Sequence, residues 1–282
     1  MRRMSNIAAY LPGPERDIAP RLAGHRCLTG FRRVVAETSL SVPSEGTDMR
    51  NPDATGNLLL DALTSEERSS LLRDSDRNRI EVDVVRRHQG DAVTSVFFPT
   101  SGTLSVIVDQ ADGRIEAATI GREGVCDAYA ALGSRVASQE MLGQVTGESI
   151  DVSVETFTKV FEEGPTLRPI IHGFIEALFS HASLSASCLA LHHVNERCAR
   201  WLLETHDRVD SDTFDMKQEF LAMMLGVHRP SVSIAAGSLQ AAGMISYRRG
   251  KITVVDREGL EASACSCYEA IRTQYSRLVP LR

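Results

Sequence analysis

The chain has 282 residues, a length that fits one large domain or two ordinary ones. Hydrophobic residues make up 43% and charged residues 24% of it, which excludes a fibrous or wholly disordered protein. The net charge of −6 argues against a protein that coats nucleic acid indiscriminately, but it does not exclude a local basic surface. No continuous apolar run approaches the roughly 20 residues needed to cross a bilayer, so we expect a cytoplasmic protein without a membrane partner.

Residues 1–56 show no sustained helical or strand period and are predicted to form a mostly disordered extension. The pattern from Thr64 to Glu67 is typical of a capping box that starts a short helix. Six short, β-branched segments follow and predict an antiparallel barrel or sandwich within residues 57–164. The predicted strands are 80–85, 93–98, 103–108, 114–120, 141–145 and 150–154.

One long helix is predicted over residues 165–194. Apolar residues recur along it at alternating steps of four and three, which is the spacing of a coiled-coil seam and predicts the interface of a homodimer. The residues of this predicted interface are Leu167, Ile171, Phe174 and Leu178. Alternatively, this stripe packs on the β-rich domain of its own chain. Both arrangements can hold, because a second stripe runs through Ile170, Ile175 and Leu184.

Residues 195–282 contain the pattern of a helix-turn-helix followed by a β-hairpin wing. Two helices, 218–225 and 229–240, flank Gly226, which can adopt the left-handed conformation that a tight turn requires. Pro230 marks the start of the second helix, because proline is favoured at a first helical position. The hairpin at 245–255 turns at Arg249 and Gly250 and has a basic tip.

Positive and polar side chains concentrate on this motif. Between residues 217 and 251 five cations face one acid, a local balance of +4 that predicts contact with phosphates. The residues predicted to contact DNA are Lys217, Gln218, His228, Arg229, Ser231, Ser233, Arg248, Arg249 and Lys251.

The order of a β-rich domain, a long helix and a winged helix-turn-helix resembles the Crp/Fnr family of bacterial transcription regulators. The resemblance covers roughly residues 57–256 and is most specific in four segments, 218–234, 243–246, 87–91 and 97–102. It implies an α+β fold with a cyclic-nucleotide-binding-like β-roll, a dimerisation helix and a C-terminal winged helix-turn-helix. It further implies a homodimer on a two-fold related operator in double-stranded DNA, with RNA polymerase as another partner.

Family members commonly begin the recognition helix with an arginine that reads a guanine, and Arg229 falls on that position. Two other base-reading positions of the family are Pro230 and Ile234 here, so the family's best-known operators are not expected. The family's phosphate cassette needs a Gly-Glu pair and an Arg-Ser or Arg-Thr pair. Residues 124–139 contain neither and offer only Arg135 as an effector contact, so we expect that cyclic AMP is not the effector.

The six cysteines have no repeating spacing, which predicts reduced thiols rather than a disulfide framework. His181, Cys188 and His192 share one face of the long helix and could hold a metal or haem, but packed side chains are the favoured interpretation. Cys265 and Cys267 are predicted on one helix, where residues two apart point to different faces and do not share a metal. We therefore predict no metal and no cofactor.

The sequence contains no nucleophile elbow, Walker loop, paired zinc spacing or Rossmann glycine pattern, so an enzyme is not predicted. The predicted function is a sequence-specific DNA-binding transcription regulator with an unidentified effector. The alternatives are a winged-helix module that binds only protein, a cyclic-nucleotide-responsive regulator, and a regulator that binds DNA constitutively. The basic wing favours DNA over a protein partner.

Overall fold

The computed structural model describes residues 54–279. The extension predicted for residues 1–56 therefore lies outside the described residues, except for its last three. In the described part, two short helices precede a β-rich domain, and helices predominate from residue 154 onward. This is the α+β class expected from the sequence.

Helices α1 (Leu58–Asp61) and α2 (Ser65–Leu72) begin the described chain. The Asn57 side chain caps α1 by accepting hydrogen bonds from two backbone N–H groups of its first turn. At the start of α2, Thr64 Oγ1 accepts from the N–H of Glu67 at 3.2 Å, and the Glu67 carboxylate accepts from the N–H of Thr64 at 3.4 Å. The predicted capping box is therefore confirmed.

Seven antiparallel strands form the β-roll in two sheets, with strand orders β1-β7-β3 and β2-β6-β4-β5. The strands are β1 (Asp76–Ile80), β2 (Val85–Arg87), β3 (Ser95–Pro99), β4 (Thr103–Gln110), β5 (Gly113–Ile120), β6 (Glu140–Val145) and β7 (Gly147–Ser153). Their inward side chains share one core, in which Phe98, Leu104 and Ile120 are almost completely buried.

The strand predicted at 80–85 is wrong. Ile80 ends β1 and Val85 begins β2, while Asp83 between them has a φ of 66°. This left-handed conformation interrupts the extended backbone that a continuous strand requires. The N–H of Asp83 donates to the carbonyl of Gly143 at 2.9 Å, so a contact distant in sequence fixes this turn.

Helices α3 (Val154–Glu163) and α4 (Leu167–Leu191) follow the β-roll. The sequence analysis did not predict α3, which buries Phe157 and Phe161 against the roll. Ser153 caps this helix, because its hydroxyl accepts from the N–H of Thr156 at 3.1 Å.

The stripe predicted as the dimer interface is buried inside the chain's own fold. Its residues are Leu167, Ile171, Phe174 and Leu178, none more than 4% exposed. They belong to the core of the β-roll, and helix α9 (Cys267–Leu278) also packs on α4, with the Tyr275 ring 6.3 Å from the Phe174 ring. The predicted interface is wrong because a 4-3 spacing identifies an apolar face but not what covers it.

By length and composition, α4 would also suit a membrane span, since an 18-residue window has a mean hydropathy of 1.4 and is 33% buried. The expectation concerned a continuous apolar run, and α4 contains none of that length, because polar residues such as Arg168, His172 and Glu176 interrupt it. The support for a span is weak, because the core helix of a folded domain passes the same test. Much of one face of α4 lies in the core of the β-roll.

The C-terminal part combines helices with a three-stranded sheet of order β8-β10-β9. Its elements before α9 are α5 (Val194–His206), β8 (Thr213–Asp215), α6 (Gln218–Leu225), α7 (Arg229–Ala241), β9 (Ile245–Arg248), β10 (Lys251–Val254) and α8 (Arg257–Ser263). Strand β8 lies at the end of residues 207–215, an acidic stretch whose sequence predicts a linker rather than a strand. Asn195 is a residue type favoured as a helix cap and predicts a helix start there; α5 begins one residue earlier, at Val194.

A second core joins these helices to the β-roll. It contains Trp201 and Leu221 together with Ile107 and Leu142, which come from β4 and β6. Helix α5 and the helix-turn-helix therefore pack on the sheet that contains β4 and β6. Burying this shared apolar surface stabilises the contact between the two parts of the chain.

The prediction that Cys265 and Cys267 point to different faces of one helix is wrong. Helix α8 ends at Ser263, so Cys265 lies in a turn and Cys267 begins α9. The expectation that residues two apart point to different faces holds only within one helix, and these two residues do not belong to one helix. His181, which the sequence places on a face with Cys188, has its Nε2 atom 3.2 Å from a carboxylate oxygen of Glu204 instead.

Candidate nucleic-acid interface

The turn between α6 and α7 has the predicted geometry. Gly226 has a φ of 60°, and the N–H of Val227 donates to the carbonyl of Ala222 at 3.0 Å, which closes the end of α6. A Cβ atom at Gly226 would lie 2.5 Å from Cδ1 of Ile115 on β5. The left-handed backbone favours glycine here, whereas the close atom is the end of a flexible side chain that can shift.

Helix α7 begins as predicted, with Pro230 in its first turn. His228 precedes the helix in an extended conformation, and its side chain makes no capping hydrogen bond. The first N–H groups of α7 are therefore not capped by this side chain, and the positive end of the helix dipole favours an anion there. This arrangement suits a phosphate group of DNA.

Three of the predicted DNA contacts meet at the exposed surface between α6 and α7. Gln218 Oε1 accepts from Ser233 Oγ at 2.9 Å and from Arg229 Nε at 3.4 Å. Arg229 Nη1 lies 3.0 Å from Glu219 Oε1, and the two side chains are 62% and 63% exposed. An ion pair this exposed contributes little energy, so the guanidinium can exchange it for an acceptor on a base.

The hairpin of β9 and β10 forms the wing. Arg249 and Gly250 occupy its turn with φ values of 51° and 75°, the positive values that a type I′ turn requires at both central residues. Arg248 and Arg249 are exposed, and within residues 54–279 neither forms an ion pair. The wing tip therefore carries two accessible positive charges.

Acidic side chains from outside residues 217–251 offset part of the predicted charge. Lys251 Nζ lies 3.0 Å from Asp215 Oδ1, and Lys217 Nζ lies 3.9 Å from Asp83 Oδ2. The local balance of +4 counted along the sequence therefore overstates the charge of the folded surface. The count along the sequence missed these partners because they come close only in the folded chain. Asp215 is brought there by the pairing of β8 with β10, and Asp83 by the turn between β1 and β2.

The remaining predicted contacts, His228 and Ser231, line a cleft of about 600 Å³ between α7 and the β4–β5 hairpin. His228 is exposed, whereas Ser231 is half-buried. The N-terminal edge of α7 therefore has one side toward the β-roll and another, with Arg229 and Ser233, toward solvent.

The outer face of α7 also exposes Ile234, which the resemblance places at a base-reading position but which was not among the predicted DNA contacts. Its side chain is 68% exposed, although Val232 and Ala235 beside it are buried. Three- and four-residue helical periodicity, applied outward from the buried positions, could have identified it. An apolar side chain at this place suits the methyl group of thymine.

Two buried carboxylates connect α5 to the rest of the chain. Glu116 on β5 accepts from Trp201 Nε1 at 2.6 Å, and its burial, with the nearby charge of Glu204, raises the pKa of Glu116 to about 7. Glu204 accepts from Arg200 Nη1 of the same helix at 2.6 Å, and its other carboxylate oxygen lies 3.2 Å from His181 Nε2 on α4. Although burial opposes it, the charge of Arg200 keeps the pKa of Glu204 far below its usual range.

Arg135, the predicted effector contact, is exposed at the surface of the β-roll. Its guanidinium donates to the carbonyls of Ala130 and Ser134, at 3.1 and 3.0 Å, and to the Thr158 hydroxyl at 3.3 Å. These bonds hold the loop in place and use donors that a phosphate would need.

A family model for the Crp-like helix-turn-helix domain matches residues 196–263. Among solved structures, the chain is similar to a Crp/Fnr-family regulator from Eubacterium rectale ATCC 33656, with 17% identity and a TM-score of 0.58 over 74% of this chain and 99% of that one. FixK2 from Bradyrhizobium japonicum gives 16% identity and a TM-score of 0.58, covering 68% and 98% of the two chains. The c-di-GMP-responsive global regulator CLP from Xanthomonas campestris has 18% identity and a TM-score of 0.55, over 68% of this chain and 99% of that one.

No curated protein matches the chain significantly by sequence. The identities to the solved structures are low, so these likenesses show the fold, whereas the family model applies to the C-terminal domain itself. The chain therefore has the fold of the Crp/Fnr transcription regulators and carries a Crp-like helix-turn-helix DNA-binding domain at residues 196–263.

Proposed function

We propose that the chain is a homodimeric, sequence-specific DNA-binding regulator that inserts two copies of α7 into successive major grooves of a two-fold related operator. The observation that carries the proposal is the exposed first turn of α7, where Arg229 stands beside a helix N-terminus without a side-chain cap. A regulator of this kind acts on the chromosome in the cytoplasm, with RNA polymerase as its further partner. The proposal assigns the chain no catalytic step.

The proposed contacts divide into base reading and phosphate binding. Arg229 would pair with O6 and N7 of a guanine, and Ile234 would contact a thymine methyl group. Arg248 and Arg249 on the wing, and the Lys251 side chain after it exchanges its partner Asp215, would contact phosphates.

The dimer would form through the exposed face of α4. A seam there has the 3-4 spacing of a coiled coil and consists of Ile175, Phe179, Ala182 and Ala186, of which Phe179 and Ala186 are exposed and the other two half-buried. Phe179 is 69% exposed, an unusual position for a large aromatic side chain in a folded chain. A second copy of α4 packed on this seam would bury it while the opposite face stays in the core.

Light scattering with Phe179→Glu tests this interface, because a charge at the centre of the seam opposes its burial. The wild-type protein should have twice the chain mass of 30.9 kDa, and the variant should have the mass of one chain. Ser187→Glu adds the same charge at an exposed position of α4 outside the seam and should leave the dimer intact. A wild-type monomer, or a Phe179→Glu dimer of unchanged affinity, would contradict the proposed interface.

The proposed sensing function belongs to the β-roll, whose effector is not identified. The sequence lacks the paired groups that hold a cyclic nucleotide, and the bonds of Arg135 to its own loop agree with that. Calorimetry with cyclic AMP should give no binding at micromolar concentrations. Binding there would favour the cyclic-nucleotide-responsive alternative.

Isolating genomic fragments that bind the purified full chain tests the function itself. We expect enrichment of a two-fold related motif whose half-sites lie about one helical turn, roughly 10 base pairs, apart. The affinity should fall steeply as the salt concentration rises, because phosphate contacts release counterions. If no fragment is enriched over random DNA, a protein-binding winged helix becomes the better interpretation.

A further inference from the structure

Four potential metal ligands converge where α4 ends. Cys188 lies in the last turn of α4, and His192 directly follows the helix. Cys265 and Cys267 come from the turn between α8 and α9 and from the first residue of α9. Their four ligand atoms, three Sγ and one imidazole nitrogen, all lie within 4.8 Å of one another.

The distances suit one tetrahedral ion. Bonds of about 2.3 Å to sulfur and about 2.0 Å to nitrogen place two sulfur ligands roughly 3.8 Å apart and a sulfur and a nitrogen roughly 3.6 Å apart. The Sγ atoms of Cys188 and Cys265 are separated by 3.4 Å, and Cys267 Sγ lies 3.6 Å from His192 Nδ1. An iron–sulfur cluster distributes its four ligands over at least two iron atoms, so ligands on different irons lie further apart than these four atoms do.

The burial of these thiols is not explained by ordinary core packing. Cys188 is fully buried, and Cys265 and Cys267 are each 5% exposed, yet the three form a buried cluster of their own, separate from both large cores. A cluster made only of cysteines gains little from apolar packing, because the thiol is a small hydrophobic group. A metal ion would instead give the three sulfur atoms a common partner.

The surrounding charge suits three thiolates. Zn²⁺ with three thiolates and a neutral imidazole carries one net negative charge, which is costly to bury without a cation. Arg200, a buried cation of α5, lies close enough to Cys188 and Cys265 for its positive charge to offset part of this negative charge.

We propose that Cys188, His192, Cys265 and Cys267 bind one Zn²⁺ ion. Three thiolates and one imidazole are a common ligand set of structural zinc, and a closed tetrahedral set leaves no position for a substrate. Each thiol gives up its proton on binding, so the affinity falls as the pH falls. This site goes beyond the proposed function and does not depend on DNA binding.

The position of the ion gives it a structural role. The link between α4 and α5 consists of His192 and His193, and the ion would fasten this link to the turn before α9. All four ligands lie outside the matched domain at 196–263, two on each side of it. The bound ion would hold the DNA-binding domain in a fixed orientation to the long helix.

Metal analysis of the full chain, purified under reducing conditions after expression with zinc, tests the site. We expect about one zinc ion per chain in the wild-type protein and its loss in the Cys265→Ser/Cys267→Ser variant. Cys198→Ala is the matched control, because it removes a fully buried thiol that lies in the second core instead of this cluster, and it should retain the zinc. Zinc retained by the double variant would overturn the assignment.

X-ray absorption at the zinc edge needs only the wild-type chain and therefore does not depend on the folding of a variant. It should show three sulfur atoms at about 2.3 Å and one nitrogen at about 2.0 Å. A shell of oxygen and nitrogen alone would overturn the proposal. Metal-free protein in which mass spectrometry finds a Cys188–Cys265 disulfide would also overturn it, and would leave the proposed DNA-binding function unaffected.

Discussion

The charged groups where α5 packs on the β-roll, a contact called the joint below and including Glu116, Arg200 and Glu204, differ from those on the surface of α7 and the wing. At the joint, Glu204 and Arg200 are almost completely buried and lie 2.6 Å apart. On the surface, Arg229 and Glu219 lie 3.0 Å apart with more than half of each side chain exposed. Both residues of the buried pair belong to α5, and the Glu204 carboxylate also lies 3.2 Å from His181 Nε2 on α4, so this carboxylate connects two helices. The exposed pair can be exchanged for a ligand.

The largest expected effect comes from breaking the buried pair. Glu204→Ala leaves the Arg200 guanidinium buried without its carboxylate and should lower the free energy of unfolding by about 3–5 kcal/mol. Glu219→Ala removes the exposed partner of Arg229 in the same way and should cost less than about 1 kcal/mol. Urea denaturation of both variants checks the contrast, which would fail if the two losses were equal.

The second effect concerns how the free energy of unfolding depends on pH through the buried carboxyl group of Glu116. The pKa of Glu116 is about 7 in the folded chain and near 4.5 when unfolded, so between these values only the folded chain holds the proton. The free energy of unfolding should therefore fall as the pH rises from about 4.5 to about 7, and then level off. The Glu116→Gln variant has no titratable carboxyl group at this position, so it should lack this part of the pH dependence.

Comparing urea denaturation of the wild type and Glu116→Gln isolates this effect. The wild type should lose stability relative to the variant, on the order of 2 kcal/mol between pH 5 and pH 8. A difference that stays constant across this range would show that Glu116 does not titrate near neutrality.

The third effect separates base reading from phosphate binding on the exposed surface. Arg229→Ala should weaken binding to the selected operator by about 1–3 kcal/mol and relax the choice of base at one position in each half-site. Fluorescence anisotropy with the operator and with single-base variants measures both changes. Unchanged specific binding would show that Arg229 is not the reading residue.

The smallest effect is expected for Lys251→Ala on the wing. Removing this exposed cation should weaken binding to every DNA sequence almost evenly, by less than about 1 kcal/mol. It should also make the affinity depend less steeply on salt concentration. The same anisotropy series tests it, and a loss confined to the operator would contradict a pure phosphate contact.

Local signals in the sequence predicted the helix-turn-helix well, because each depends on residues close in the chain. Gly226 has the expected left-handed backbone, Pro230 lies in the first turn of α7, and Arg249 with Gly250 turns the wing. Thr64 and Glu67 likewise form their capping box from residues three apart. Such signals act through backbone preferences that do not require the rest of the fold.

The failed predictions depended on contacts between distant residues. The spacing of Leu167, Ile171 and Phe174 identified an apolar face of α4, but only the fold shows that the β-roll and α9 cover it. Cys265 and Cys267 lie more than 70 residues from Cys188, so no local pattern could bring them together. The charge count over residues 217–251 also omitted distant partners, because Asp83 of the β-roll pairs with Lys217 of the C-terminal domain.

The most direct test of the account is methylation protection of guanine N7 on a selected operator. The wild-type chain should protect one guanine in each half-site, about 10 base pairs apart, because Arg229 would occupy N7 in two major grooves. Arg229→Ala, at a concentration that still saturates the operator, should restore methylation at both guanines. Full occupancy without protection, or protection that survives this substitution, would contradict the claim that α7 reads DNA through Arg229.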